Sequence, residues 1–350
     1  MISIENVSKR LGEFHLDDVS FEIEDNEYFV IIGPTGAGKS ILLETLAGIY
    51  MPDCGRIMMD GRDITHIPSR ERNIGMVYQD YTLFPFLNVD DNIAFGLKNL
   101  KMSSADIRDK VEELKEFMGI GHLAYRYPGT LSGGEQQKVA IARAIAIRPK
   151  VLLLDEPLSA LDCRTKAYLR DGLKRVKKEY GITMVHVTHD QTEGIMLGDR
   201  IAVMMHGELM QVGTPHEIFN RPKNEEMASF VGIDNVLKGE IIDNSDGVAM
   251  VNAYGQGMVY AVTEYREGKV KLFVRPEDII LSKEECHSSA RNVMKGKIVE
   301  LQDMGALSQV DLDNGIVALV TKRSIKSMSL EIGQGIFASF KTTSAHVVLD

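Results

Sequence analysis

An α/β domain built on a mostly parallel sheet, followed by a separate all-β domain, is the fold class that this sequence predicts. Three observations lead there. Up to about residue 230, short continuous apolar runs such as Tyr28 to Ile32 and Val151 to Leu154 alternate with helix-period segments such as Val139 to Ile147. Runs that are apolar throughout suit parallel strands covered by helices on both faces. Between about residues 88 and 148 the strand signal lapses, and DIRDKVEELKEFMGI sets Ile107, Val111, Leu114 and Met118 at helical spacing, which predicts an inserted helical subdomain. After PKNEEMASFVG the character changes to short alternating runs punctuated by Gly, Asn and Asp turns. The boundary is therefore placed near Gly232, giving domains 1–232 and 233–350.

The second domain carries an internal echo. Asn235-Val-Leu-Lys-Gly-Glu-Ile-Ile242 recurs 57 residues later as Asn292-Val-Met-Lys-Gly-Lys-Ile-Val299, and both copies close alike, at Phe273 to Leu281 and Phe340 to Leu349. Two related small barrels of the partly open five-stranded kind are the natural reading, with chance likeness of two strands as the alternative.

Length and composition narrow the function. A chain of 350 residues suits about two domains. The formal net charge of −10 and a pI near 5.5 argue against a protein that grips nucleic acid through its phosphates, although a local basic patch stays open. Cys54, Cys163 and Cys286 are widely separated and form no CxxC pair, so a reduced compartment and packing as small apolar residues are expected. The N-terminal stretch meets charges within five residues and has no secretory apolar core, and no apolar run approaches the ~20 residues that span a bilayer. Any membrane role is expected to run through a partner.

Three motifs carry chemistry. Gly33, Pro34, Thr35, Gly36, Ala37, Gly38, Lys39 and Ser40 follow the apolar strand YFVII and precede the helical ILLETLAGI, the context of a phosphate-binding P-loop. The glycines let backbone N–H groups turn toward phosphates, Lys39 reaches the β and γ phosphates, and the Ser40 hydroxyl can ligate magnesium. Val151 to Pro157 reads as an apolar strand ending in two acids at the edge where such sheets place ligands: Asp155 for the magnesium shell and Glu156 as the general base that polarises water. Leu131, Ser132, Gly133, Gly134, Glu135 and Gln136 open the helix QQKVAIARAIAI. Ser132 and Glu135 there form a capping box, and two glycines beside a serine at a positive helix terminus also make an anion site.

Together these residues resemble the nucleotide-binding subunit of ABC transporters, an α/β P-loop NTPase, and the resemblance runs over essentially the whole chain. It implies further roles, position by position. Gln79, in MVYQD, matches the glutamine that senses magnesium and the membrane partner; Ser159, Ala160, Leu161 and Asp162 match the D-loop between two cassettes; His189, in VTHDQ, matches the switch histidine at the γ-phosphate. The implied cofactors are ATP and Mg2+, with Ser40, Gln79 and Asp155 around the metal. One departure stands out: the position where related cassettes stack the adenine on an aromatic ring is Leu11, and Phe14 either takes that role or belongs to the core.

The tracts ERNIGMVYQDYTLFPFLNVDDNIAFGL and GTPHEIFNRPKNEEMASFVG resemble the importer branch, which moves sugars, polyamines, sulfate and molybdate. That likeness implies a homodimer of cassettes on the cytoplasmic face of a membrane, bound to two copies of a permease and served by an extracytoplasmic substrate-binding protein. In such importers a coupling helix enters the helical subdomain, so Tyr81 to Phe86 are candidate docking residues, an internal aromatic cluster being the alternative. The segment from Ser288 to Asp350 is similar to the molybdate-binding Mop (TOBE-like) fold. Carried over by position, Ser289, Ala290, Arg291, Thr321, Ser324, Lys341 and Thr342 match oxyanion contacts, with molybdate or tungstate as the implied regulatory ligand. A sugar, polyamine or sulfate importer subunit, and a soluble ABC ATPase outside transport, are the competing readings.

Overall fold

The computed structural model describes residues 1–350 except Lys101, Ala160, Cys286 and His287, so Ala160 of the expected D-loop and Cys286 lie outside the described residues. The chain divides into two compact units, Met1–Ile218 and Phe219–Asp350. The division falls earlier than Gly232 because the intervening segment is tied to the strands of the second unit. Glu225 is 3.1 Å from Lys271 and 3.5 Å from Lys238, and His346 Nε2 lies 3.2 Å from the carbonyl of Pro222.

In the first unit the elements run β1 (Ile2–Leu11), β2 (Phe14–Ile23), β3 (Tyr28–Ile32), α1 (Lys39–Ala47), β4 (Cys54–Met59), β5 (Arg62–Asp63), β6 (Ile74–Val77), α2 (Val89–Leu97), α3 (Ser104–Met118), α4 (Gly133–Ala146), β7 (Val151–Asp155), α5 (Cys163–Tyr180), β8 (Thr183–Thr188), α6 (Gln191–Leu197), β9 (Arg200–Met205) and β10 (Glu208–Gly213). The main sheet has the order β10-β9-β3-β8-β7-β6, parallel throughout except for the edge strand β10. Its strands β3, β7 and β8 are buried at every position, as continuous apolar runs require. Their C-terminal ends therefore deliver three loops to one edge: Gly33–Gly38, Glu156–Asp162 and His189.

A second sheet, β2-β1-β4-β5, is antiparallel and does not follow from the pattern of a parallel α/β domain. In β1 the alternation is broken by register shifts on either side of Val7 and by Asn6 at φ 51°, which hides the half-buried strand signal. Helices α2, α3 and α4 supply the inserted subdomain. The cysteine expectation is corrected: Cys54 and Cys163 are free and exposed, the one opening an outer-sheet strand and the other at the first turn of α5, neither facing a core.

Helix α7 (Pro215–Asn220) spans the division, and α8 (Glu225–Phe230) opens the second unit. There follow β11 (Asn235–Ser245), β12 (Val248–Ala253), β13 (Gly257–Val262), β14 (Gly268–Val274), β15 (Ile280–Ser282), β16 (Asn292–Asp303), β17 (Leu307–Leu312), β18 (Val317–Thr321), α9 (Lys322–Met328), β19 (Gly335–Phe340) and β20 (Ala345–Leu349). They form two five-stranded sheets, β13-β12-β11-β14-β20 and β15-β19-β16-β17-β18. The repeat is real and interlocked. Each copy gives its last strand to the other: β20 pairs with β14, and β15 with β19.

The recurring asparagine explains the repeat physically. Asn235, 1% exposed, accepts from Val317 N–H at 2.7 Å and donates to Val317 O at 2.9 Å, so it clamps the second copy. Asn292, equally buried, does the same to Tyr260 of the first copy at 2.7 and 2.9 Å. A buried side-chain amide that mimics a strand partner satisfies backbone groups that would otherwise be orphaned. Val270, Leu272, Val310, Ile336 and Phe340, drawn from both copies, share one core.

Candidate nucleotide site

The loop after β3 is shaped by glycine. Gly36 and Gly38 sit at φ 85° and 91°, the left-handed region that a side chain strains, and a Cβ on Gly33 would lie 2.1 Å from the carbonyl oxygen of Met204. Gly38 is also the N-cap of α1 and offers no side-chain hydrogen bond, so the first-turn amides stay directed at whatever occupies the loop. At the other end Arg72, fully buried, donates to the carbonyls of Thr45 and Leu46 at 2.9 Å and fixes the helix that carries the loop.

Lys39 is 6% exposed and its ammonium donates to the carbonyls of Gly33 and Pro34, both at 2.9 Å. Burial draws its pKa down while Glu156 and Asp155 oppose that from a distance. A buried cation whose contacts are only loop carbonyls fits an anionic group in the loop. Ser40 Oγ donates to Asp155 Oδ1 at 3.1 Å, and burial pushes the Asp155 carboxyl up, with the Ser40 bond opposing and Glu156 reinforcing. A hydroxyl and one buried carboxylate are the usual protein share of a magnesium shell, whose other positions belong to phosphate and water.

Glu156 continues from β7 at φ 43°, a strained backbone for a non-glycine residue, with its N–H donating to Val187 O at 2.9 Å. This turns its carboxylate toward the loop after β8, where His189 Nδ1 lies 3.0 Å from Glu156 Oε2. Lys39, Ser40, Asp155, Glu156 and His189 thus form one group at the ends of adjacent strands. Gln79 is exposed just beyond β6. Phe14 is not a core residue: it is 54% exposed, faces Leu11 across the β1–β2 hairpin, and its Cε1 lies 3.9 Å from where a Cβ on Gly36 would stand.

Leu131–Gln136 belong to a different group. Ser132 Oγ accepts from Glu135 N–H at 3.4 Å and Glu135 Oε2 accepts from Ser132 N–H at 2.8 Å, a complete capping box, while Gln136 donates to the carbonyls of Pro128 and Leu131. Gly133 approaches Tyr81 and Leu161, and a Cβ on Gly134 would stand 2.7 Å from Thr165 Cγ2, so these glycines admit close packing against the start of α5. Asp162 caps that helix, accepting from Arg164 and Thr165 N–H at 3.0 and 3.1 Å, and Ser159 Oγ donates to Glu156 O at 3.0 Å. The aromatic tract divides: Phe84 is held against Phe95 and Arg143, whereas Phe86 is 71% exposed.

In the second unit Thr321 caps α9, its Oγ1 accepting from Ser324 N–H at 3.1 Å and lying 2.9 Å from Ser324 Oγ. Arg291 directly precedes and Lys341 directly follows the paired residues Asn292 and Phe340, and both are exposed. Ala290 is buried, Ser289 exposed and Thr342 half-buried, close to the same strand ends.

The family model described as ABC transporter matches residues 16–159, and the one described as TOBE domain matches residues 288–347. The molybdate/tungstate import ATP-binding protein WtpC of Pyrococcus horikoshii is 42% identical over 99% of this chain and 99% of its own length. The spermidine/putrescine import ATP-binding protein PotA of Thermotoga maritima is 40% identical over 92% of this chain and 89% of its own. Among solved structures, the ATP-binding cassette MJ0796, a dimer in a post-hydrolysis state bound to ADP and Pi, is 32% identical with TM-score 0.56, covering 61% of this chain and 99% of that one. The chain belongs to the ABC transporter family, as one of its ATP-hydrolysing cassettes. Its second unit is the TOBE-bearing extension.

Two groups of residues escaped the reading of the sequence. Arg72 looks like a surface charge in ERNIG, yet it is buried. His186, Glu193 and Tyr28 are likewise buried and linked; the available signal was a histidine inside the otherwise apolar strand TMVHV.

Proposed function

We propose that the chain is the ATPase of a molybdate/tungstate importer, acting as a homodimer peripheral to the cytoplasmic face of a membrane and bound to two copies of a permease. Among the described residues no helix is long and apolar enough to cross a membrane. ATP supplies the free energy for the conformational cycle. Gly33 to Ser40 hold its phosphates, and Ser40, Asp155 and Gln79 hold Mg2+. Glu156 takes the proton of the attacking water, and His189 orients that carboxylate and the γ-phosphate. Phe14 stacks the adenine in place of Leu11, which its exposure beside the phosphate loop supports. Ser132 to Gln136, grouped away from the loop, complete the site of a second copy; Ser159, Leu161 and Asp162 lie between the two. Exposed Phe86 is the docking residue for the permease.

The observation that carries the cargo is that two exposed cations, Arg291 and Lys341, flank the terminal Asn292–Phe340 pair at one strand end. Two cations at one strand end favour a bound dianion, and Ser289, Ala290 and Thr342, their neighbours in the chain, add hydroxyls and amides that an oxyanion accepts from. Thr321 and Ser324 lie by the other end of β16, where Lys322 pairs with Asp303, and would join such a site only from a second copy. The WtpC relative, 42% identical over 99% of the chain against 40% over 92% for the PotA relative, supports the same choice over the polyamine reading. Oxyanion bound there reports cargo already inside, and we infer that it slows further turnover. ATPase activity of the full transporter against added tungstate tests this: inhibition in wild type that disappears in Arg291→Ala, Lys341→Ala is expected, and no inhibition at saturating tungstate overturns it.

A further inference from the structure

Below the switch histidine lies a buried charged group that the roles above do not use. His186 is fully buried in the middle of β8, and Glu193, one turn after His189 on α6, is 2% exposed. Glu193 Oε2 lies 3.2 Å from His186 Nε2, and Glu193 Oε1 lies 3.9 Å from Lys166 Nζ on α5. Lys166 is also 3.9 Å from Asp190 Oδ2, and Tyr28 OH is 3.0 Å from His186 Nδ1. These are ion-pair distances without settled hydrogen-bond angles: neither carboxylate oxygen of Glu193 nor His186 Nε2 has a well-aligned partner. Burial opposes the charge on Glu193, and His186 together with the Thr188 hydroxyl outweighs it, holding the carboxyl below its ordinary range.

Such a group is a poor way to anchor a helix. Buried charges with imperfect partners contribute little to stability, and apolar residues of similar volume serve as well or better. What it does provide is a connection. Glu193 is the buried point at which α6, which follows His189, meets both β8 and α5, which follows the Ser159–Asp162 loop; at the surface Arg170 of α5 also reaches Met196 of α6.

We propose that Glu193 is a positioning residue for ATP turnover: by joining His186 and Lys166 it makes the His189 loop and the Ser159–Asp162 loop move as one body. This rests on the roles given above to Glu156 and His189. The geometric consequence is direct. His189 sits 3.0 Å from Glu156, and a small displacement of α6 relative to α5 opens that contact without touching the phosphate loop. Loss of the link therefore lowers kcat more than it changes KM for ATP, since the phosphate loop that holds most of the nucleotide is untouched.

The test uses the full-length chain and steady-state ATPase kinetics. Glu193→Gln keeps shape and removes charge, and it is expected to lower kcat about tenfold or more with KM for ATP within about twofold of wild type. Lys166→Met is expected to slow turnover to a similar degree, and the double variant to be no slower than either single, since both break one link. If Glu193→Gln destabilises the fold, the apolar pair His186→Phe, Glu193→Met restores the melting temperature and is expected to remain slow. Wild-type kcat in Glu193→Gln, additive losses in the double variant, or full activity in the apolar pair each overturn the proposal. Glu156→Gln, run in parallel, separates the two levels: activity there overturns the site assignment itself, whereas an inactive Glu156→Gln beside a fully active Glu193→Gln overturns only the link.

Discussion

Two serine or threonine caps, one in each unit, invite the same double reading and resolve it differently. Ser132 begins a fourteen-residue helix and is locked in a reciprocal box with Glu135, with glycines beside it that pack closely on neighbouring residues. Thr321 begins a seven-residue helix, is exposed, and is tied only to Ser324. The nucleotide loop is of the first kind, with Lys39, Ser40 and Asp155 already bonded to their neighbours. The positions proposed for the anion are of the second kind, with Ser289, Arg291, Thr321 and Lys341 exposed. A site that performs chemistry on every turn has its groups set in advance, whereas a site that reads a concentration can be completed when the ligand arrives.

The largest effect expected from this contrast concerns the shared site. Lys39→Ala and Ser132→Arg each leave every composite site of a homodimer incomplete, so each alone should lose nearly all turnover, about a hundredfold or more. Mixed in equal amounts they form heterodimers with one complete site, and part of the activity should return. ATPase assays of the separate and mixed chains decide it. Full activity in either single variant would falsify the division of the site between two copies.

The same contrast sets how much was legible in the sequence. The strands around Tyr28, Val151 and Thr183 and the loops at their ends could be read because a buried parallel strand is a continuous apolar run and a phosphate loop needs glycine at fixed places. The antiparallel sheet of β1, β2, β4 and β5 could not, since its bulges break alternation near Val7. Phe14 was ambiguous until its exposure and its nearness to Gly36 were known, because an aromatic residue in a strand is usually core. Arg72 and Glu193 were missed for a related reason, since burial of a charge depends on partners brought from distant positions; for His186 the one trace was its place inside the strand TMVHV. The repeat of the second domain was visible in its asparagines, but the exchange of its last strands was not, since similar strands read alike whichever copy they join.

Phe14 sharpens the comparison at intermediate size. A single base on an aromatic face is worth about 1–3 kcal/mol, so Phe14→Ala should raise KM for ATP about tenfold and leave kcat near wild type. Phe14→Tyr should restore KM. An unchanged KM in Phe14→Ala would show that the ring at the hairpin faces solvent in the loaded enzyme as well.

The smallest effect separates cap from ligand at Thr321. Thr321→Ala loses both the cap and the hydroxyl, and should cost about 1 kcal/mol of stability as well as weaken tungstate binding. Thr321→Asp is the informative change, because aspartate accepts from the Ser324 N–H as well as threonine does and places an anion where the oxyanion would sit. Stability should then stay within about 0.5 kcal/mol of wild type by denaturant unfolding, while tungstate affinity falls about tenfold by isothermal titration of the full-length chain. The carboxylate also lies beside Lys322, which pairs with Asp303 at 2.8 Å, so the variant should loosen that pair only slightly at the surface. If affinity survives in Thr321→Asp, the hydroxyl of Thr321 is a cap and nothing more, and the anion is held by Arg291 and Lys341 from the other strand end.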